Sequence, residues 1–346
     1  MPATRVSPPA YFPDGPCPRE KWDERTPEAA GLRRVSLDAL AEHVRGRGVV
    51  VSGGYLVYAW GEHTRSADLA SARKPIISTL LLIAVQEGVI GSVDEPIVRF
   101  EPRLHQINCG KDATITWRHL ASQTSGYGWS EAPGAAWSYN DFALALYYDT
   151  LVNRVFQRDG TWLLQSHLAR PLGFEDPAHF NTIVRPGDEP RRGRIAMSPR
   201  DHARFGLFYL RGGNWNGTQL LRRDLVDEAL TSIVPVDLPP TTGIDAEMLP
   251  GQISHGGGKR TGAGGAGRYS FNWWLNLPDA HGTPLFAGAP PDAYVAKGLG
   301  MTRALWVIPS LDLVVAWQGA NWGEDGQPPQ AQQVAARLMA EAASGR

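Results

Sequence analysis

Strand-like runs stand at both ends of this 346-residue chain, with helical runs between them. A single sheet must therefore draw on both ends, and the helical part must be inserted into it. Near one end, Val49 to Ser52 and Tyr55 to Trp60 are split by Gly53-Gly54 and read as an antiparallel pair. Near the other, Tyr269 to Leu275, Thr302 to Ile308 and Leu311 to Gln318 read as strands, the last two joined through Pro309-Ser310. Between them lies a strongly apolar helix from about Ser71 to Glu87, stopped by Gly88. Helical patterns recur near Asp141 to Asp149, from Ser198 to Gly212, and from Gln330 to Ala343. Thr26-Pro27-Glu28 opens a helix that Leu37 to Val44 continues.

The expected fold is mixed α/β: an antiparallel sheet flanked by helices, plus an inserted all-helical lobe. Residues 1–27 form an arm, residues 28–70 and 200–346 the α/β lobe, and residues 71–199 the mostly helical lobe with the apolar helix at the interface. The Gly/Pro-rich stretch 232–268 is too long for a simple connection and reads as a lid or pocket wall.

Composition removes several functions. With 34 basic and 35 acidic side chains the chain has no nucleic-acid footprint. The apolar run Ile76 to Val85 is far shorter than the roughly 20 residues a membrane span requires. Met1 to Pro16 lacks the basic start and apolar core of a secretory signal, so a cytoplasmic location is expected unless a leader precedes it. Cys17 and Cys109 have no metal-ligand spacing and do not require a disulfide. The nine histidines are scattered without a zinc motif, and the glycine runs fit no phosphate or dinucleotide loop, so no metal and no cofactor are expected.

Three short segments carry chemistry. In Ser71-Ala72-Arg73-Lys74, a spacing of three brings Lys74 onto the face of Ser71 at the start of the apolar helix. Free amides and the positive dipole end there favour a developing oxyanion. A desolvated lysine beside a serine can accept its proton. The plainer alternative is an N-cap serine and a solvated lysine. In Trp137-Ser138-Tyr139-Asn140-Asp141, the tyrosine offers a phenol that can relay a proton; the plainer alternative is an aromatic turn. In Ala296-Lys297-Gly298-Leu299-Gly300, a strand end can supply a second oxyanion donor, and glycine permits close approach. Trp129, Trp137, Trp273, Trp274 and Trp306 are candidates for an apolar pocket, with core packing favoured for Trp306.

In this order the three segments resemble the serine β-lactamase and penicillin-binding-protein superfamily, closest to its class C-like branch of family VIII esterases and 6-aminohexanoate-dimer hydrolases. The resemblance spans roughly residues 28–343. It is reinforced by Ile115 to Gly126, which ends in Thr124-Ser125-Gly126, by Met197 to Gly206, and by the closing hairpin from Trp306 to Val315. It implies Ser71 as the acylated nucleophile, Lys74 as its general-base partner and Tyr139 as the motif tyrosine. The amides of Ser71 and Leu299 would form the oxyanion hole, and Trp137, Asp141, Lys297 and Gly298 would contact substrate.

Two departures from the family pattern matter. Asp141 stands where the family has Asn, and a carboxylate there favours the ammonium form of Lys74. Ala296 stands where the third motif has Lys or His, which removes a group that holds the carboxylate of β-lactams. Lys297 or Arg303 can replace that charge if either turns toward the site. Lys259-Arg260-Thr261-Gly262 resembles Lys-Thr-Gly, but it has one residue too many and leads into no hairpin.

The expected function is a serine hydrolase that forms an acyl-enzyme on a small ester or amide. The alternatives are a non-catalytic penicillin-recognising or other ligand-binding protein on the same fold, and a weak β-lactamase or DD-peptidase. The expected partner is a small molecule, with no nucleic acid and no membrane span; the oligomeric state is not legible.

Overall fold

The structure, a computed structural model, describes residues 12–183, 191–262, 264–322 and 328–344. Residues 1–11 of the expected arm lie outside them. A 3-10 turn at Glu28–Ala30 ends at Gly31 in the left-handed region (φ 71°). The expected first helix is therefore interrupted, and α1 (Arg34–Val44) starts after it. The chain then runs β1 (Arg47–Ser52), β2 (Tyr55–Trp60), β3 (Ala67–Asp68) and α2 (Lys74–Gln86). A middle part of 3-10 turns and short helices includes α3 (Trp117–Ala121), α4 (Asp141–Asp149) and α5 (Gly160–Leu164). Next come β4 (His179–Ile183), β5 (Arg191–Met197), α6 (Pro199–Leu210), β6 (Asn214–Trp215), β7 (Thr218–Gln219) and α7 (Arg223–Ala229). The chain closes with β8 (Tyr269–Ser270), β9 (Trp273–Leu275), β10 (Tyr294–Gly298), β11 (Arg303–Ile308), β12 (Leu313–Gln318) and α8 (Pro328–Ala343).

Seven strands form one antiparallel sheet in the order β2-β1-β12-β11-β10-β9-β8, so the two ends of the chain meet where β1 pairs β12. Both faces of the sheet are covered. Val49, Val51, Leu305 and Val307 pack on one face with Ile76 and Leu80 of α2 and Phe205 of α6. Their neighbours Val50, Trp306 and Val315 pack on the other with Leu37 and Leu40 of α1 and Met339 of α8. This double coverage explains why the strands read as continuous apolar runs rather than alternating ones. Every residue of α2 from Lys74 to Ala84 is buried. At about 1.5–3 kcal/mol for each large apolar side chain, this burial anchors the turn that precedes α2.

Three expectations need correction. The lobe expected to be all helical also carries two strands, β4 and β5, which form a small sheet with β3 of the α/β lobe. Its strand β5 reads Arg-Arg-Gly-Arg-Ile-Ala-Met, too charged to stand out as a strand. Tyr269 to Leu275 is two strands rather than one. Phe271 (φ 44°) and Asn272 (φ 67°) turn the chain between β8 and β9, and the buried Asn272 amide donates to the carbonyl of Ala121 and accepts from Ser78 Oγ. A left-handed turn without glycine carries little sequence signal. Finally, Trp129 and Trp273 are buried packing residues that do not line the main cleft, whereas Trp137 and Trp274 do; Trp306 packs in the core, as expected. Cys17 is buried, Cys109 exposed, and both are free thiols. Among the described residues, no helix is long and apolar enough to cross a membrane.

Candidate active site

Ser71 sits in a 3-10 turn, Ala70–Arg73, that runs directly into α2. The tight turn is bought with backbone strain, since Ala70 adopts a left-handed φ of 50°. The end of β10 presses against this turn. A Cβ on Gly298 would fall 2.5 Å from the Leu69 carbonyl oxygen and 3.0 Å from the Ala72 nitrogen, so only glycine fits. Gly298 thus backs the turn and does not line the cleft. Beyond Val295, β10 is no longer paired with β9, and Leu299 follows its last paired residue. Leu299 is 66% exposed at the mouth of the cleft, with φ 43°.

Lys74 projects from the first turn of α2 with only 1% of its surface exposed. Its Nζ donates 2.7 Å to Asp141 Oδ1 and also to Tyr139 Oη. It lies 3.8 Å from the centroid of the Tyr139 ring. Asn140 delivers the two partners. Its side chain caps α4 by accepting from the amides of Phe142 and Ala143, while its own amide donates to Gln123 Oε1. This cap aims Tyr139 and Asp141 from the helix start toward α2. Burial raises the Asp141 carboxyl, but the Lys74 ammonium, then Arg73 and Arg260, outweigh it and hold the group below the usual carboxylate range.

The second wall comes from the Gly/Pro-rich stretch. Asp141 N donates to the Gly258 carbonyl, and Arg260 N to that of Tyr139. A Cβ on Gly257 would stand 2.2 Å from Asp141 Oδ2, so glycine is what lets the loop close over this carboxylate. Ser71, Tyr139 and Asp141 share a cleft of about 610 Å³ with Trp137, Trp274 and Lys297. Ser71 lines this space, and its Oγ has no hydrogen-bond partner among the described residues. Trp137 packs edge-on to Trp274, and Trp274 stacks on Tyr139 at 6.2 Å.

Strand alternation buries the Ala296 methyl on the α2 side. Lys297 lines the cleft, and its ammonium rests 4.5 Å from the Trp274 ring and 5.4 Å from that of Phe286. Burial, then Arg268, lowers the Lys297 ammonium to about 8. Arg303 also lines the cleft, with Nε donating to the Asp68 carbonyl. Arg194 lines it too but is engaged side by side by the Asp68 carboxylate. The sequence reading missed Arg260, whose guanidinium lies 5.3 Å from the Tyr139 ring. The Lys259 to Gly262 segment is no third motif of the family pattern. It is not a strand of the sheet, yet Arg260 and Gly262 still border the cleft. The run Gly256-Gly257-Gly258 was the available signal: consecutive glycines mark a close backbone approach, here to a carboxylate rather than a phosphate.

Comparison with known proteins shows the family and the fold. The family model described as Beta-lactamase matches residues 32–340. An uncharacterized protein of Alkalihalophilus pseudofirmus is 23% identical over 209 residues, covering 50% of this chain and 60% of that protein. A penicillin-binding-protein homologue from Caulobacter crescentus superposes with a TM-score of 0.61 at 16% identity, over 95% of this chain and 99% of that one. A beta-lactamase from Mycobacterium bovis superposes with a TM-score of 0.60 at 18% identity, over 89% of this chain and 99% of that one. At these identities the superpositions show a shared fold.

Proposed function

The chain belongs to the beta-lactamase family, and we propose that it is a serine hydrolase that forms an acyl-enzyme on Ser71 from small esters or amides. The observation that carries this reading is the buried Lys74, hydrogen-bonded to both Tyr139 and Asp141, behind a serine that faces a cleft. Ser71 Oγ attacks the substrate carbonyl carbon, and its proton passes to Lys74 Nζ. The amides of Ser71 and Leu299 hold the negative oxygen of the tetrahedral intermediate. As the intermediate collapses, Tyr139 Oη hands a proton to the leaving oxygen or nitrogen and is reprotonated from Lys74. Water then attacks the acyl carbon, with the same groups moving its proton. Trp137 and Trp274 offer an apolar wall to the acyl chain or ring.

One observation favours a second reading, a weak β-lactamase or DD-peptidase. Lys297 borders the cleft, and among the described residues it has no carboxylate partner. The ammonium resting on Trp274 and Phe286 weighs against it. A hydrolysis panel of p-nitrophenyl esters, nitrocefin, D-amino-acid amides and linear amide dimers tests the proposal. Turnover of esters or amides is the expected result; no turnover and no acylation across the panel contradicts it.

A further inference from the structure

Arg73, the residue inside the Ser-x-x-Lys segment, is 1% exposed. Its guanidinium donates to the Ala70 carbonyl at 2.8 Å, to the His255 carbonyl at 3.1 Å and to that of Gly193. It thus ties the strained residue before Ser71 to β5 and to the glycine loop that covers Asp141. All three acceptors are neutral, and among the described residues Arg73 has no carboxylate in contact. A buried cation without a counter-charge is costly, so the field of nearby anions must balance it.

The carboxylates that act on Arg73 are Asp141 and Asp68. Asp68 already holds Arg194 side by side. That leaves one buried carboxylate, Asp141, between two buried basic groups, Arg73 and Lys74. Other groups face Lys74 without changing this count. Tyr139 Oη accepts from Lys74 Nζ. His255 is held neutral by its burial and by Arg73 and Arg194. Arg260 is exposed, and water screens its charge. The buried trio is electrically neutral when arginine is charged, Asp141 is a carboxylate and Lys74 is an amine.

Resting on the acyl-enzyme reading above, we propose that Arg73 is the positioning residue that lets a carboxylate stand beside the Lys74 base. Its permanent charge answers that of Asp141, so Lys74 need not stay protonated to do so. Lys74 Nζ is then free to accept the Ser71 hydroxyl proton as Oγ bonds to the acyl carbon. Burial, then Arg194, lower Arg73 to about 10 against the opposing pull of Asp141 and Asp68, and a guanidinium keeps its charge where an ammonium gives up a proton. Without Arg73, Asp141 and Lys74 would form a neutral ion pair and the ammonium would be favoured.

The test is the pH dependence of kcat/KM for a p-nitrophenyl ester in the full-length wild type, Arg73→Gln, Arg73→Lys, Asp141→Asn and the double variant Arg73→Gln/Asp141→Asn, with melting curves for each. Arg73→Gln is expected to move the acid limb to higher pH and to slow acylation at neutral pH by about tenfold or more. Adding Asp141→Asn should bring the limb back and recover rate relative to Arg73→Gln alone. Arg73→Lys should keep the wild-type limb even if the lost hydrogen bonds lower its melting temperature. A merely structural arginine predicts lower rates with an unmoved limb and no recovery in the double variant, and that result overturns the proposal. If Arg73→Gln does not fold, a limb displaced in Arg73→Lys overturns it, and an unmoved one supports it. Failure of the underlying reading looks different: the wild type itself neither turns over ester nor becomes acylated, and the proposal falls with it.

Discussion

Lys74 Nζ stands 2.7 Å from Asp141 Oδ1, with 1% and 6% of their side chains exposed. A contact this dry is governed by charge rather than by solvent, so each partner sets the protonation of the other. Asp141→Asn removes the anion and disfavours the ammonium. Lys74 then becomes a free amine at lower pH, and the acid limb of kcat/KM shifts downward. A pH series on the purified variant checks this. An unchanged or upward-shifted limb would mean that Asp141 does not govern the base.

Gly257 lies against the other oxygen of the same carboxylate. An added methyl group would stand 2.2 Å from Asp141 Oδ2, a distance that forces the loop or the carboxylate to move. Gly257→Ala should therefore cost about 1–3 kcal/mol of stability and depress kcat. Gly258 has nothing within 4 Å of its added Cβ, so Gly258→Ala should be close to neutral in both. Melting temperature and turnover of the two alanine variants, side by side, test whether the loop is fitted to Asp141. Equal tolerance at both positions would contradict that fit.

Selectivity should follow Ala296 and the lie of Lys297. Losing one charge-assisted hydrogen bond to a substrate carboxylate costs about 1.5–3 kcal/mol, or roughly one to two powers of ten. Hydrolysis of p-nitrophenyl butyrate should exceed that of nitrocefin by at least this margin. Because the Lys297 ammonium rests on Trp274 and Phe286, Lys297→Ala should leave nitrocefin turnover weak rather than abolish it. Burial, then Arg268, lowers the Lys297 ammonium to about 8. The KM for nitrocefin should then be flat through that pH if the ammonium takes no part. Efficient nitrocefin hydrolysis that collapses in Lys297→Ala, with a KM that climbs above pH 8, would show a carboxylate site moved by one residue.

The fold was legible where local patterns were strong. Gly53-Gly54 marked the first hairpin, Pro309-Ser310 the last, and the unbroken apolar run after Lys74 announced a buried helix. What stayed hidden depended on tertiary context. Nothing local tells that Phe271 and Asn272 turn in the left-handed region, because the turn is pinned from outside by Ala121 and Ser78. The ordered motifs named Ser71, Lys74 and Tyr139, and the structure gathers these side chains at one cleft wall and its backing. Arg73 and Arg260 escaped notice for opposite reasons. Arginine is ordinarily a surface residue, so a fully buried one next to a lysine has no sequence signature. Arg260 reaches the cleft only because a long loop folds back across Asp141.

The most direct measurement is intact-mass analysis after treatment with a fluorophosphonate, followed by peptide mapping, on the wild type and on Ser71→Ala. The proposed mechanism predicts one covalent adduct on the wild type, mapped to Ser71, and none on a Ser71→Ala variant that melts cooperatively like the wild type and hydrolyses no ester. An unlabelled wild type, or a folded Ser71→Ala protein that still turns over substrate, would contradict it.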